Sequence, residues 1–580
     1  EMCIRDSTDD DACHRLARVL EALNRDQDAA LMREHAIRVA LLRSLVQELS
    51  ISTTPQELTE DLPQKLLTLG RPFESIGWAL LNLDPANVVK RNALLNQREI
   101  LRRQPDISSM RSEVVRMEMD RSEFPLNDAV ESLAAAATDD LGIDNTTRIP
   151  SVDGTPVLRN VAATAGIDFQ WYHAPQIDLK SIPLHEMMGG GICVCDYDLD
   201  GFPDVYFGQG SGDPPVERST RSNQLMRNLE GGIANVTIPS ATEDFHYSTG
   251  IASGDVNQDG VPDLYLGALG DNRLLINNGD GTFRDSSDAL GDPPMQFTSS
   301  VAIADLTGDA IPDLFECVYV EMEGAFRPPE RGTDGEELVP NPNDFFAEAD
   351  RWYSGKGDGR LEAQVVDRGR IQPGTSLVLI VTDFDVDRSN DVFVSNDARP
   401  NHLLVQFGQS SVQNIGPLVG VAYGFRGFSN ACMGIATGDF NRDGRLDLHV
   451  TNYADEPNNH YLQGESGIFS DYATRYQLNT LSQPHVGFGV KAVDFDRNGW
   501  LDFFISNGHV FDQSHLGVNF RMPPQLVANQ AGQFVSVEST DASDYLSGRY
   551  VGRSVAKVDF DRDLDLDLLI GHLDAPTALL

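Results

Sequence analysis

Seven nine-residue stretches of this chain place oxygen-bearing side chains at alternate positions around a turn, and Asp196-Tyr-Asp-Leu-Asp-Gly-Phe-Pro-Asp204 shows the chemistry most fully. Positions 1, 3 and 5 offer Asp196, Asp198 and Asp200, the backbone carbonyl of Phe202 offers position 7, and Asp204 closes the set at position 9. Hard oxygen donors at this spacing suit a calcium ion, which takes about six to eight of them. Gly201 allows the positive φ that curls the backbone round an ion, and Pro203 stiffens the exit. For a single loop the bland reading, an acidic and merely solvated turn, competes well. Recurrence in a fixed register is what weighs against it.

The second copy presents Asp255, Asn257, Asp259, Val261 and Asp263; the fifth Asp439, Asn441, Asp443, Arg445 and Asp447; the sixth Asp494, Asp496, Asn498, Trp500 and Asp502. Position 7 contributes its backbone carbonyl in each, and the asparagines enter as amide ligands. Three copies are degenerate. The third retains Asp305, Asp309 and Asp313, with Thr307 for a carboxylate and Ala310 for the glycine. The fourth keeps Asp383, Asp385, Asp387 and Asp391 but has Arg388 at position 6, and the seventh keeps Asp559, Asp561, Asp563 and Asp567 with Leu564 there. A side chain at positive φ costs about 1–2 kcal/mol, so these three are the doubtful calcium loops.

The loops need elements that present them as hairpin tips. Before each loop the residue four positions ahead is branched and apolar (Ile192, Ile251, Val301, Leu379, Ile435, Val490, Val555). The one five ahead is small (Gly191, Gly250, Ser300, Gly434, Gly489, Ser554), with Val378 the exception. Small residues suit an innermost strand where sheets converge on an axis. A second apolar strand follows each loop, as in Leu264-Tyr-Leu266 and Phe503-Phe-Ile505, and a third strand with a tight Asp-Gly turn is clearest at 272–283. The loops begin at residues 196, 255, 305, 383, 439, 494 and 559, a repeat length of 50–78 residues. Four strands per repeat and seven repeats predict a mainly β fold, a seven-bladed β-propeller. The stretch 157–170 has the look of an outer strand without an inner partner, and is expected to complete the last blade. Insertions at 321–350 and 508–524 read as surface excursions able to cap one face and carry specificity.

Residues 11–138 carry a period of 3.6 instead, with Leu16, Val19, Leu20 and Leu23 on one stripe and a capping box at Thr54-Pro-Gln-Glu57. Leu69-Gly-Arg-Pro-Phe-Glu74 and Trp78-Ala-Leu-Leu81 resemble a degenerate tetratricopeptide unit, and a plain helical hairpin array fits equally. The α-helical region therefore precedes the propeller (157–580), joined to it by a linker over 139–156. Residues 1–10 read as artefact or disorder, since Glu1–Ser7 resembles a translated sequencing adaptor from a metagenomic reading frame. Both ends of the reading frame are expected to be incomplete.

Composition narrows the partners. With 45 Lys and Arg against 88 Asp and Glu, a formal charge of -43 argues against nucleic acid. No apolar run is long enough to predict a membrane span. The six cysteines show no metal or haem spacing, and Cys193 and Cys195 read as small buried residues near a crowded axis.

The loop with its small-residue inner strand resembles the FG-GAP/VCBS repeat of integrin α-subunit propellers. Ala165-Gly-Ile-Asp-Phe169, His185-Glu-Met-Met-Gly-Gly-Gly191 and Ser506-Asn-Gly-His-Val510 are similar to the cartilage acidic protein type that ends in an ASPIC/UnbV domain. That resemblance implies several bound calcium ions and an extracellular, periplasmic or cell-surface location. It transfers calcium ligands onto matching positions and no catalytic residues. The reading is a non-enzymatic propeller that binds a protein or glycan. An enzyme acting on polysaccharide, as lyase or hydrolase, is the alternative, with His173, His485, His509 and His515 the residues to inspect and Glu186 at the channel mouth. The expectation is instead that each histidine hydrogen-bonds a turn and that Glu186 serves the entry to the first strand. A third reading is a scaffold that presents the helical region.

Overall fold

In a computed structural model, the described residues are 157–580 except 175–178, 181, 211–218, 230–231, 328–339, 367–369, 386, 409–410, 540 and 542, with parts of 17–37 and 62–102 before them. The linker at 139–156, the first ten residues, the stripe Leu16 to Leu23 and the capping box at 54–57 lie outside them. The fold is mainly β. Its strands form six antiparallel sheets among the described residues, five of them in simple chain order. The remaining sheet fuses two hairpin units where Leu269 and Gly270 pair with Phe297 and Gln296.

Each repeat opens on a strand that leads into an acidic loop. These first strands are Ile192–Cys195, Tyr247–Gly254, Gln296–Ala304, Ser376–Thr382, Cys432–Gly438, Gly487–Val493 and Gly552–Val558. Each touches the next, and the last touches the first. Together they line one cavity of about 240 Å³, which gives the curled sheets a propeller-like arrangement. The reason for small residues here is close approach. A Cβ on Gly250 would stand 2.7 Å from Ser300 Cα, and one on Gly434 would stand 1.9 Å from the Phe488 carbonyl oxygen. Val378, the larger exception, packs half-buried against the central apolar cluster.

Two sets of polar bonds tie neighbouring repeats. Near the start of the first strands, hydroxyls donate forward to the next repeat's backbone: Ser299 to Ser376 O (2.6 Å), Ser395 to Met433 O (2.7 Å), Thr451 to Phe488 O (2.8 Å) and Ser554 to Gly190 O (2.5 Å). Near the loops, side-chain amides donate backward: Asn277 to Tyr197 O (2.7 Å), Gln463 to Phe384 O (2.6 Å), Asn529 to Phe440 O (3.0 Å) and Asn228 to Phe560 O (2.8 Å). Asn228 and Ser554 therefore join the first and last repeats from opposite ends. The chain before the first loop also meets the last repeat, with Val161 N donating to Leu579 O (2.8 Å) and Tyr545 N to Leu158 O (2.7 Å).

The two insertions meet at the segment entering the first strand. His185 Nδ1 lies 2.9 Å from Ala325 O, Asp512 N donates to Leu179 O (2.8 Å), and buried Arg553 donates to Met187 O (2.6 Å) and His509 O (3.1 Å). In the N-terminal part, helices α1 (Leu62–Thr68), α2 (Pro72–Leu81) and α3 (Val88–Arg102) are described. Leu62 and Leu66 of α1 are fully buried and pack, with Trp78 of α2, on Leu229 and Ala234 of the first sheet.

His449 and His460 face each other across two strands of the fifth repeat, amid Phe440, Phe503 and Phe534. Burial pulls His449 down to about 3 and His460 well below its ordinary value, so both stay neutral. Among the described residues neither ring nitrogen of His460 has a partner.

Two outcomes are expected. Asn228→Ala orphans the Phe560 carbonyl and should lower stability by about 1–3 kcal/mol, read as the urea midpoint at constant m. A midpoint equal to wild type would remove this amide from the closure. His460→Leu tests the buried imidazoles. A histidine depressed in the fold leaves stability intact above pH 6.5 and drains it as pH falls through that value, because only the unfolded chain takes up the proton. The melting temperature of His460→Leu relative to wild type should therefore rise steadily from pH 6.5 to 4.5, and a constant difference would contradict the assignment.

Candidate metal loops

All seven loops have positive φ at position 6, whatever residue stands there. Gly201, Gly260, Gly444 and Gly499 have φ between 82° and 92°, while Ala310, Arg388 and Leu564 have φ of 63°, 75° and 73°. The substituted loops thus adopt the curl of the glycine loops and carry its strain. What imposes it is the position 1 carboxylate. In all seven loops it accepts from the position 6 N–H, at 2.8 Å from Gly201 to Asp196 and 3.3 Å from Leu564 to Asp559.

Position 9 is equally constant. Its carboxylate accepts from the position 2 N–H in every loop, at 2.8 Å in the third and 3.2 Å in the first. In five loops the other oxygen accepts from the third strand: Asn228 N to Asp204, Asn277 N to Asp263, Gly355 N to Asp313, Gln463 N to Asp447 and Asn529 N to Asp502, all at 2.7–2.9 Å. Asp204, Asp263, Asp313, Asp447 and Asp502 are therefore brackets between strands as well as oxygen donors. Four of these five are followed into the next contact by the same residue, since Asn228, Asn277, Gln463 and Asn529 also supply the backward amide bonds.

The donor sets converge unequally. Carboxylate oxygens of Asp196, Asp198 and Asp204, of Asp383, Asp385 and Asp391, of Asp494, Asp496 and Asp502, and of Asp559, Asp561 and Asp563 lie within 4.8 Å of one another. In the second and fifth loops Asn257 and Asn441 turn their amide N–H onto Asp259 (3.0 Å) and Asp443 (2.8 Å), and their oxygens accept from the backbone. Asn498 does likewise toward Asp496 (2.9 Å). Crowding raises several carboxyls. Burial first, then the neighbouring aspartates, pushes Asp196 up to about 8, and Asp391 rises to about 7 with burial as the main cause. Asp559 Oδ1 is buried with no partner among the described residues. A hard divalent cation fits such a set where no buried side-chain cation already lies among the carboxylates, because it neutralises the crowded charge and occupies the oxygen lone pairs that the backbone N–H groups leave open.

The first loop differs in a way the loop sequence does not announce. Arg227, on the third strand Gln224–Leu229, brings Nη2 to 2.6 Å from Asp198 Oδ2 and 3.2 Å from Asp200 Oδ2, with all three side chains buried. A lone arginine within the apolar run Leu225-Met-Arg-Asn-Leu229 was the available signal. The residues in the same place elsewhere are Ile276, Leu462 and Ala528.

Three of the four histidines singled out earlier are held by local partners. His173 Nδ1 lies 2.9 Å from Glu186 Oε2, whose Oε1 accepts from Ala174 N (3.2 Å), so Glu186 is a buried anchor for the segment entering the first strand. His485 Nδ1 contacts Leu481 O (3.2 Å), His509 contacts Phe511 O (3.0 Å) and the Tyr453 hydroxyl (3.2 Å), and His515 is exposed. Cys193, Cys195, Cys317 and Cys432 are free thiols.

Residues 196–266, 255–315 and 439–505 match the model of the FG-GAP-like repeat. A curated relative, cartilage acidic protein 1 of Xenopus tropicalis, is 28% identical over 187 residues, which is 32% of this chain and 27% of that protein. The chain thus aligns with little more than a quarter of that relative's length. Among solved structures it is similar to an Agrocybe aegerita lectin that recognises non-reducing terminal N-acetylglucosamine (14% identity, TM-score 0.36, covering 67% of this chain and 86% of that one). It is also similar to the BP39L lectin of Burkholderia pseudomallei (13%, 0.38, 68% and 95%) and to BBS1N in complex with ARL6DN (9%, 0.39, 70% and 96%). TM-scores this low carry nothing about ligands. The chain carries three FG-GAP-like repeats in a mainly β, propeller-like fold.

Separating bracket from ligand takes one substitution. Asp502→Asn keeps the size of the side chain but sets an amide against the N–H groups of Phe495 and Asn529, and should cost about 2 kcal/mol in urea unfolding even with EGTA present. A loss seen only with calcium would mean that Asp502 matters as a ligand alone.

Proposed function

We propose that the chain is a calcium-stabilised, seven-bladed β-propeller that binds a protein or glycan partner through its faces and insertions, outside the cell or on its surface. The observation that carries this reading is the identity of the seven loops: the same curl and the same two carboxylate brackets recur where position 6 is glycine, alanine, arginine or leucine. An ion in such a loop neutralises carboxylates already gathered at the tip of an inner hairpin, so its role is to hold a blade rather than to react. In the fourth, sixth and seventh loops the ligands would be the converging triads. The degenerate loops are included because their backbones are shaped like the others. The segment 157–170 seals the edge of the last blade in this reading, through its bonds to Leu579 and Tyr545; it does so without the expected outer strand, since Ala162–Ala165 is helical and the last sheet keeps three strands. The helical region before it is a separate packing module seated on the first blade.

A binding role is favoured over catalysis because His173, His485 and His509 are each engaged by a neighbouring carboxylate or carbonyl. Partner recognition then falls to the faces. Phe425 and Phe428 are 65% and 72% exposed on a turn closed by the bond from Gly424 N to Phe428 O.

Calcium binding to the folded state alone raises its stability by mass action, by about 2.7 kcal/mol at a hundredfold excess over Kd for one site. The melting temperature should rise with added calcium and fall with EGTA, measured by calorimetry. An unchanged transition across that titration would sink the calcium reading. A glycan array run beside a polysaccharide-depolymerisation assay separates binder from enzyme, with cleavage in the absence of static binding reversing the assignment.

A further inference from the structure

We infer that the first loop takes no calcium, because Arg227 supplies the positive charge that an ion supplies in the other loops. This inference rests on the calcium reading of the other loops and departs from it at the one whose sequence fits an ion best. Asp196, Asp198, Asp200, Gly201 and Asp204 satisfy every position of the motif. Yet the Arg227 guanidinium lies between the position 3 and position 5 carboxylates, at 2.6 Å and 3.2 Å, on the side chains that would turn toward an ion. The arginine comes from the third strand beneath the loop, one residue before Asn228, whose N–H brackets Asp204. Its place is therefore fixed by the same ladder that fixes the loop. Side-chain exposure is 5% for Arg227, 1% for Asp198 and 3% for Asp200, so the pair is held away from water, where a bound guanidinium and an incoming ion exclude each other.

The other repeats mark the contrast. Where Arg227 stands, the second, fifth and sixth repeats have Ile276, Leu462 and Ala528, apolar residues with no charge to offer the loop above. The second and sixth loops have no arginine at that place, and in the fifth the loop's own Arg445 meets only Asp443 among the carboxylates, at 2.5 Å and part-exposed to water. Among the described residues the first loop alone has a buried guanidinium set between two of its carboxylates. The consequence is a division of labour within one ring: a metal-independent pin at the repeat on which α1 and α2 are seated, and metal-dependent pins elsewhere.

Counting bound calcium tests this. Full-length protein and Arg227→Met are dialysed against calcium, and ions per chain are counted by native mass spectrometry alongside calorimetry in calcium and EGTA. Arg227→Met should bind one ion more than wild type and gain one calcium-dependent increment in melting temperature. An equal count in the two proteins overturns the inference. Should Arg227→Met fail to fold, the double variant Asp198→Asn, Asp200→Asn in the wild-type background decides: an unchanged calcium count supports the arginine as the resident cation, and the loss of one ion overturns it. A wild type with no bound calcium would sink the reading of the other loops by itself, while the gain of an ion in Arg227→Met would still uphold the assignment of the first.

Discussion

The structure depends on how a carboxylate at each end of a nine-residue turn is used by the backbone. The position 1 aspartate accepts from the N–H at position 6, and the position 9 aspartate accepts from the N–H at position 2. Together they force positive φ at position 6 and hold the two inner strands at a fixed spacing. This explains why Ala310, Arg388 and Leu564 sit in a conformation they disfavour: the brackets on either side over-determine it. It also separates two roles that a motif merges. A conserved-looking acidic pattern can be present for its hydrogen bonds before any ion is considered.

From position 9 the constraint spreads outward. Asn228, Asn277, Gln463 and Asn529 each give a backbone N–H to the aspartate of their own repeat and a side-chain amide to the preceding repeat's loop. One residue thus ties a loop, a third strand and a neighbouring loop. Nearer the cavity the requirement is steric, because Gly250, Gly434 and Gly489 approach the adjoining backbone more closely than a Cβ permits. Hydrogen bonding at one end of each first strand and close packing at the other leave adjacent sheets little freedom to slide.

The parts of this plan that repeat were legible in the sequence. Alternation of strand residues, the glycine or serine five residues before six of the seven loops and the spacing of the first aspartates are local signals, and the sheets follow them. Two features were not legible, for one physical reason. Arg227 lies in a strand that reads as ordinary, and its meaning arises only when Gln224–Leu229 is paired under the first loop so that the guanidinium meets Asp198 and Asp200. The amides of Asn228 and Gln463 likewise take their role from carbonyls of Phe560 and Phe384, far away along the chain. Chemistry that crosses between repeats leaves no mark in the spacing within one. The position 6 substitutions show the converse case. Local propensity counted against the curl, and the flanking brackets outweighed it.

The two families of inter-repeat bonds point in opposite directions around the ring, hydroxyls forward near the cavity mouth and amides backward near the loops. Taking out the fifth repeat, for example, strands the Ser395 hydroxyl of the repeat before it at one end and the Asn529 amide of the repeat after it at the other. An open solenoid can fray from its termini one unit at a time. At the boundaries between the fourth and fifth, fifth and sixth, and last and first repeats the stitching runs in both senses, so neither neighbour can peel away there from one end alone.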